Sequence, residues 1–395
     1  MTNDVHATTS TPDWDKVHAH VYRMLRDIKV AHAHGQRKRA AYLQRQFLSS
    51  FDSRRVATSK AFDSLRPSRR PAISTLSEQA SKLNAWCGTS EIVKVRWKPK
   101  ASNENEFRPI MNFGIENRAL QYLVVECLKA QADLHKMQFA VNGGRDAAVI
   151  HVRNALASGF SHVAEMDIRD CYMSFIGEKL AGLLPVPKEV VEQVILSRHL
   201  NLLPIDFQSG GVPQGPFVEE YLAEARQGIA QGSAASNVVA EIALATVVAQ
   251  MPSRGVVVAY ADNFLLMAKS SAGVVAMKKA LRELLLEHPA GPLILNAPKQ
   301  YKPGKAVEFL GYRMTVTDTG CEIVPTPRNL SKFQSQFSRK IKRIKADGLP
   351  SKVLNSRVVD LKSYVKSWAH GFALWPGAKQ HMQEHLAIMS GAGLT

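Results

Sequence analysis

Cysteine is scarce. The 395-residue chain holds four, Cys87, Cys127, Cys171 and Cys321, and no pair has zinc-ligand spacing. A disulfide framework and a zinc-ribbon site are both excluded, and the four read as free thiols in a reducing cytoplasm. Long apolar runs are missing too. No stretch of eighteen apolar residues occurs, so neither a transmembrane helix nor a membrane partner is expected. The first twelve residues are polar, carry an acid and have no apolar segment, so they do not read as a secretory signal. Internal repeats and low-complexity tracts are absent, which excludes solenoids and arrays. The apolar share, 45%, is that of a globular chain too long for one small core.

Acidic residues are also in short supply: 34 against 51 Lys and Arg, a net charge of +17. The shortage is local. Residues 1–100 carry 19 basic and 8 acidic residues, residues 326–395 carry 12 and 3, and the centre between them carries 20 and 23. A polyanion held from both sides of a near-neutral centre explains this better than a merely solvated surface.

Residues 14–65 read as helical, because Val17, Val21, Leu25 and Ile28 recur at three- and four-residue steps and Leu43, Phe47 and Leu48 continue after Gly35. Residues 67–71 read as a basic linker. Strands are expected over 92–97 and 107–113 around a polar turn at 101–106, followed by a helix over 114–133. A short apolar strand over 161–166 ends in acid. Residues 177–201 are expected to be largely helical and 237–251 one long apolar helix. Two strands over 254–270 meet at a tight turn, Asp262-Asn263. An amphipathic helix over 274–287, a strand pair over 307–316 and basic helix from Arg328 complete the chain.

The centre carries the chemistry. In Glu165-Met166-Asp167-Ile168-Arg169-Asp170-Cys171-Tyr172, a strand ends in an Asp placed where it can bind a metal. In Val258-Ala259-Tyr260-Ala261-Asp262-Asn263-Phe264-Leu265, a hairpin presents a second carboxylate at its tip. Either alone is an ordinary turn residue. Together, two carboxylates on adjacent strands suit two-metal phosphoryl transfer, in which one Mg²⁺ lowers the pKa of a 3′-hydroxyl and another neutralises the leaving pyrophosphate. Between them, Gly228-Ile229-Ala230-Gln231-Gly232-Ser233-Ala234-Ala235-Ser236-Asn237 is a glycine-rich turn opening a helix. It lets backbone approach a nucleotide and offers Gln and Ser hydrogen bonds; as a plain loop-to-helix cap it would use Ser236 as N-cap. The similar string Gly211-Val212-Pro213-Gln214-Gly215 lacks the Ser and the apolar helix and reads as a loop.

This order of motifs resembles the reverse transcriptase palm, most closely that of the group II intron-like reverse transcriptases of bacteria and organelles. Asp167 to Tyr172 matches motif A. Gln231, Gly232 and Ser236 match motif B, with Asn237 in place of its Pro. Tyr260-Ala261-Asp262-Asn263 matches the Y-A-D-D of motif C except at Asn263. Lys299 falls at the motif D lysine, and Phe309-Leu310-Gly311 matches the primer grip. Arg108-Pro109-Ile110 and Asn117-Arg118-Ala119-Leu120-Gln121 are similar to the fingers motifs, and Trp368-Ala369-His370-Gly371-Phe372 to the thumb. Five motifs in order are specific where one is not.

The resemblance implies an α+β right-hand polymerase. A basic helical N-terminal extension would cover 1–70, fingers 71–160, an antiparallel-sheet palm 161–325 interleaved with the fingers, and a basic helical thumb 326–395. It implies an RNA-directed DNA polymerase using two Mg²⁺, with Mn²⁺ as the alternative. Asp167, Asp262 and the Ile168 carbonyl would hold the metals. Tyr172 would exclude a ribose 2′-hydroxyl. Arg108, with Lys98 or Lys100, would grip the triphosphate, and Gln231 and Gly232 would lie against the nascent base pair. Lys299 would protonate pyrophosphate, or be a solvated loop lysine. Arg145 would touch the template. The partners implied are an RNA template, a DNA product and deoxynucleoside triphosphates, with homo- or hetero-oligomers left open.

Asn263 keeps an oxygen but no charge, and Asn237 alters the helix start. These departures are similar to those of stand-alone bacterial reverse transcriptases, including defence-associated ones that copy a non-coding RNA. No Cys/His-rich tail follows the thumb motif, unlike complete mobile-intron proteins. Two rivals remain. One is a non-polymerising, maturase-like RNA-binding protein, favoured by Asn263. The other is an RNA-dependent RNA polymerase, disfavoured by Tyr172.

Overall fold

The computed structural model describes residues 12–100, 106–205, 217–346 and 350–394. The chain opens with α1 (Trp14–Ala33), α2 (Arg37–Ser49), α3 (Phe51–Asp63) and the short α4 (Leu76–Lys82). β1 (Val93–Pro99), β2 (Phe107–Asn112) and α5 (Ile115–Lys129) follow, then α6 (Gly144–Ala157) and β3 (His162–Asp167). Short helices α7 (Cys171–Ser174), α8 (Gly177–Ala181) and α9 (Lys188–Val190) precede β4 (Leu202–Pro204) and α10 (Phe217–Ala225). Next come α11 (Ser236–Ala243), α12 (Ala245–Ala249), β5 (Val256–Tyr260), β6 (Asn263–Ala268) and α13 (Ser271–Leu286). β7 (Lys299–Tyr301), β8 (Val307–Phe309), β9 (Tyr312–Thr317) and β10 (Gly320–Pro325) lead to α14 (Pro327–Ala346), α15 (Ser351–Gly371) and α16 (Ala378–Gly391).

The fold is α+β, and it divides into two compact units. The first holds Met1–Ser64, Pro71–Ala132 and Leu184–Ser236; the second holds Leu65–Arg70, Asp133–Leu183 and Asn237–Thr395. Of the boundaries read from the sequence, at 70, 160 and 325, the first coincides with an edge of this division.

In the first unit Asp13 caps α1 by accepting from the Lys16 N–H at 3.3 Å. The helix buries Val17, Val21, Ile28 and Ala31, the stripe its periodicity implies. Ser50 ends α2 and caps α3, so one residue makes the corner between them. The sheet runs β2-β1-β4, antiparallel then parallel. β1 alternates strictly: Val93, Val95 and Trp97 enter a core with Met111, Phe113 and Leu222, while Lys94, Arg96 and Lys98 face outward.

In the second unit the four-stranded sheet runs β5-β6-β3-β7, antiparallel throughout, with β3 flanked on both sides. A second sheet runs β10-β9-β8. Val149 and Val152 of α6 share one core with Val258, Leu265, Phe309 and Tyr312 of the two sheets. The last three helices close around Phe333, Phe337, Leu361, Val365 and Met389.

Three expectations change and a fourth is refined. Residues 177–201 are helical as expected but in pieces, because Pro185 and Pro187 interrupt the backbone donors: α8, α9 running into a π-turn at Val191–Ile195, and a 3-10 turn at Ser197–His199. The helix over 237–251 is broken at Leu244, where the buried His288 ring donates from Nε2 to the Ala243 carbonyl at 2.9 Å, an acceptor the helix would otherwise use. The tight turn is Ala261-Asp262: Tyr260 pairs with Asn263, which is already the first residue of β6. The 67–71 linker is docked, since the Ser68 N–H and hydroxyl donate to the Asp360 carboxylate of α15 at 3.2 and 2.6 Å. The 211–215 string and residues 101–105 of the polar turn lie outside the described residues.

Candidate active site

β3 delivers Asp167 to its end, directly opposite Asn263 of β6. The next peptide N–H, that of Ile168, donates to the Asp262 carbonyl at 3.2 Å. Strand pairing therefore ties the two motif aspartates together through backbone. Asp167 is exposed and Asp262 half-buried. Asn296 clamps Asp167 twice, its backbone N–H donating to the Asp167 carbonyl at 2.9 Å and its side-chain amide to Oδ2 at 2.7 Å.

Because residues two apart on a strand share a face, Glu165 lies on the same face as Asp167 and Asn263. The Asn263 amide donates to Glu165 Oε1 at 3.2 Å, and the Tyr301 hydroxyl to Glu165 Oε2 at 3.0 Å. A second aspartate at 263 would set two like charges here; the amide instead donates. The Asn263 Oδ1 is buried and has no donor among the described residues. Lys299 stands opposite Glu165 on β7, its ammonium 3.2 Å from Glu308 Oε2 and over the Tyr301 ring. Burial opposes its charge, but Tyr301 and Glu308 outweigh that and raise its pKa.

Asp170 takes a left-handed φ of 48° and turns the chain from β3 into α7. Burial, followed by the Asp262 charge, raises the pKa of Tyr172 well above the usual phenol value. Its hydroxyl donates to Asn237 Oδ1 at 2.8 Å.

Sequence reasoning missed Glu241. It is fully buried on α11 and accepts from the N–H groups of Ala140 at 2.6 Å, Val141 at 2.8 Å and Ala261 at 3.4 Å. Ala261 has φ of 52°, a conformation that strains an alanine by about 1–2 kcal/mol, and it precedes Asp262. Burial raises the Glu241 pKa, and the three amides oppose that rise. A lone acid in an otherwise apolar helix was the available signal.

Arg145 stacks over Tyr312 and Phe372, at 4.9 and 5.0 Å from the ring centres, with its Nε 3.5 Å from Asp146.

The remaining expected nucleotide-binding residues lie in the first unit. Lys98 and Arg108 are exposed and directly opposite each other on β1 and β2, a like-charge pair that favours an anion. Lys100 forms an ion pair with Glu106 at 3.2 Å. The Gln231 carbonyl accepts from the Met111 N–H at 2.8 Å, and Gly232, at φ of 106°, passes so close that a Cβ would sit 2.4 Å from the Met111 oxygen. The close backbone approach of this turn is thus made to β2. Ser236 is the first residue of α11, not its cap, and its hydroxyl donates to the Ala230 carbonyl at 2.7 Å.

Among the described residues no group of three or more His, Cys, Asp or Glu side chains is placed to hold a metal. Two carboxylates with oxygen ligands only are a set that suits Mg²⁺, which keeps several waters and takes the rest of its shell from substrate phosphates. The Asp167 and Asp262 carboxylates are donors of that chemical kind.

No protein-family profile matches the chain, and no curated protein does. Among solved structures it is similar to telomerase from Candida albicans in complex with a TWJ fragment of telomeric RNA, at 11% identity and a TM-score of 0.36, over 76% of this chain and 64% of that one. It is also similar to apo telomerase from Candida tropicalis truncated from its C-terminal domain, at 12% identity and a TM-score of 0.35, over 60% of this chain and 55% of that one. The chain thus spans less than two thirds of either.

Proposed function

We propose that this protein is an RNA-directed DNA polymerase. The observation that supports the reading is the junction of β3 with the β5–β6 hairpin, where strand pairing sets Asp167 opposite Asn263 and the Ile168 N–H donates to the Asp262 carbonyl, in the motif order the sequence shows. On this reading the β5-β6-β3-β7 sheet is the palm, the β1–β2 pair belongs to the fingers and α14–α16 form the thumb. Asp167, Asp262 and the Ile168 carbonyl would hold Mg²⁺, which supplies an activated 3′-hydroxyl and a neutralised pyrophosphate when bound. Asn296 fixes the Asp167 carboxylate, and Glu241 holds the turn that carries Asp262. Tyr172 stands as the sugar gate. Lys98 and Arg108 offer paired cations to a triphosphate. Lys299, raised in pKa and held by Glu308, suits charge neutralisation better than proton donation. The basic terminal regions bind the template–product duplex through its phosphates, so binding weakens steeply with salt. The template proposed is a dedicated non-coding RNA copied in antiphage defence, a reading that rests on the departures at Asn237 and Asn263.

Sequencing the nucleic acid that co-purifies with the protein, before and after incubation with deoxynucleotides and Mg²⁺, tests this. A defined RNA, with new DNA in wild type and none in Asp167→Ala or Asp262→Ala, is the expected result. RNA without DNA under either Mg²⁺ or Mn²⁺ transfers the reading to a non-polymerising RNA-binding protein. Preferential use of ribonucleotides makes it an RNA polymerase.

A further inference from the structure

Tyr172 sits on a four-residue helix that follows a left-handed residue, so its own element does little to fix its ring. The hydroxyl end is held instead. It donates to Asn237 Oδ1 at 2.8 Å, and Asn237 lies in the first turn of α11. α11 begins one residue earlier and buries Val238, Val239, Ala240 and Glu241. Ser236 anchors the preceding turn through the Ala230 carbonyl. A half-buried ring is thus tied at its far end to the first turn of a packed helix. The proline expected at 237 from the motif has no side-chain acceptor, so the bond exists because of the asparagine.

We propose that Asn237 is a positioning residue for sugar selection: by holding the Tyr172 hydroxyl it keeps the ring where a ribose 2′-hydroxyl would collide with it. The proposal rests on the polymerase reading and extends it to a residue that touches neither metal nor reacting atoms. Losing one neutral hydrogen bond shifts the balance between held and released ring by about five- to tenfold, and discrimination against ribonucleotides should fall by that factor.

Two measurements test it. The first needs no catalysis: ring-carbon relaxation by NMR on ¹³C-tyrosine protein, with Tyr172 assigned from the resonance lost in Tyr172→Phe. The Tyr172 ring should become more mobile in Asn237→Leu, which keeps the branched shape without an acceptor, and stay ordered in Asn237→Asp, which keeps an acceptor oxygen. The second is the ratio of deoxy- to ribonucleotide incorporation. Asn237→Leu and Tyr172→Phe should each lower it about five- to tenfold, and the double variant should lower it no further. Tyr172→Ala should lower it far more. An unchanged ring in Asn237→Leu overturns the proposal, as do additive effects or unchanged discrimination despite a mobile ring. If Tyr172→Ala leaves discrimination intact, or nothing is polymerised, the function reading falls, and the ring measurement still decides whether Asn237 holds the tyrosine.

Discussion

Replacing Glu241 with alanine should destabilise the second unit by about 2–3 kcal/mol. The carboxylate accepts two well-formed bonds, from Ala140 and Val141 at 2.6 and 2.8 Å, and a long one from Ala261 at 3.4 Å. Each buried amide left without an acceptor costs about 1–3 kcal/mol, and the long contact adds little. Two effects reduce the sum. Ala140 and Val141 are half-buried, so water recovers part of their bonding. The raised pKa of Glu241 also means that its burial is incompletely compensated, so removing the charge returns some desolvation energy. Glu241→Gln keeps one acceptor oxygen but turns an NH₂ toward a backbone N–H, and about 1–2 kcal/mol should be lost. Urea unfolding measures both. Hydrogen exchange gives the local signature: the amides of Ala140, Val141 and Ala261 should exchange faster in either variant. An alanine variant within about 0.5 kcal/mol of wild type, or with the three amides unchanged, would falsify the view that this side chain clamps the turn before Asp262.

Mild acid should weaken the fold through His288. His288 accepts from the Ala290 N–H at Nδ1 and donates from Nε2 to Ala243, so it is neutral, and burial lowers its pKa from 6.5. Its contribution is complete above the unfolded value and is lost as pH falls below 6.5 toward the folded one; the urea midpoint should drop over that interval and flatten in His288→Gln. Glu241 runs the other way, its raised folded pKa making its contribution complete below 4.5 and lost as pH rises through the folded value. Gly232→Ala should cost about 2–4 kcal/mol by urea unfolding, since its Cβ meets the Met111 oxygen at 2.4 Å. Gly304→Ala, also left-handed at φ of 77° but in open space, should cost only about 1 kcal/mol; equal losses would show that the clash is relieved.

The sequence made β3 and the β5–β6 hairpin legible because apolar runs ended in polar punctuation at Asp167 and around Asp262. The outward cations of β1 were legible from strict alternation at Val93, Val95 and Trp97. What stayed hidden depends on partners far along the chain. Asn263 belongs to the strand and not to the turn, because Tyr260 pairs with it. The break at Leu244 comes from His288, 45 residues from the carbonyl it takes. Glu241 bonds backbone about 100 residues earlier, and Tyr172 finds Asn237 65 residues later. No local propensity carries such pairings. The glycine-rich turn is expected from the sequence to approach a nucleotide; the close approach that Gly232 makes in the fold is to Met111 of its own unit.

The central place of β3 also sets a waiting time during synthesis. Its neighbours β6 and β7 are made roughly a hundred residues or more after Asp167. At about 5–20 residues per second, the strand that carries the first aspartate leaves the ribosome some 5–20 seconds before either edge has a partner. For that interval an apolar strand with two open edges depends on shielding by other contacts or chaperones, so slowing translation between residues 167 and 263 should lower the soluble yield more than slowing it after residue 301.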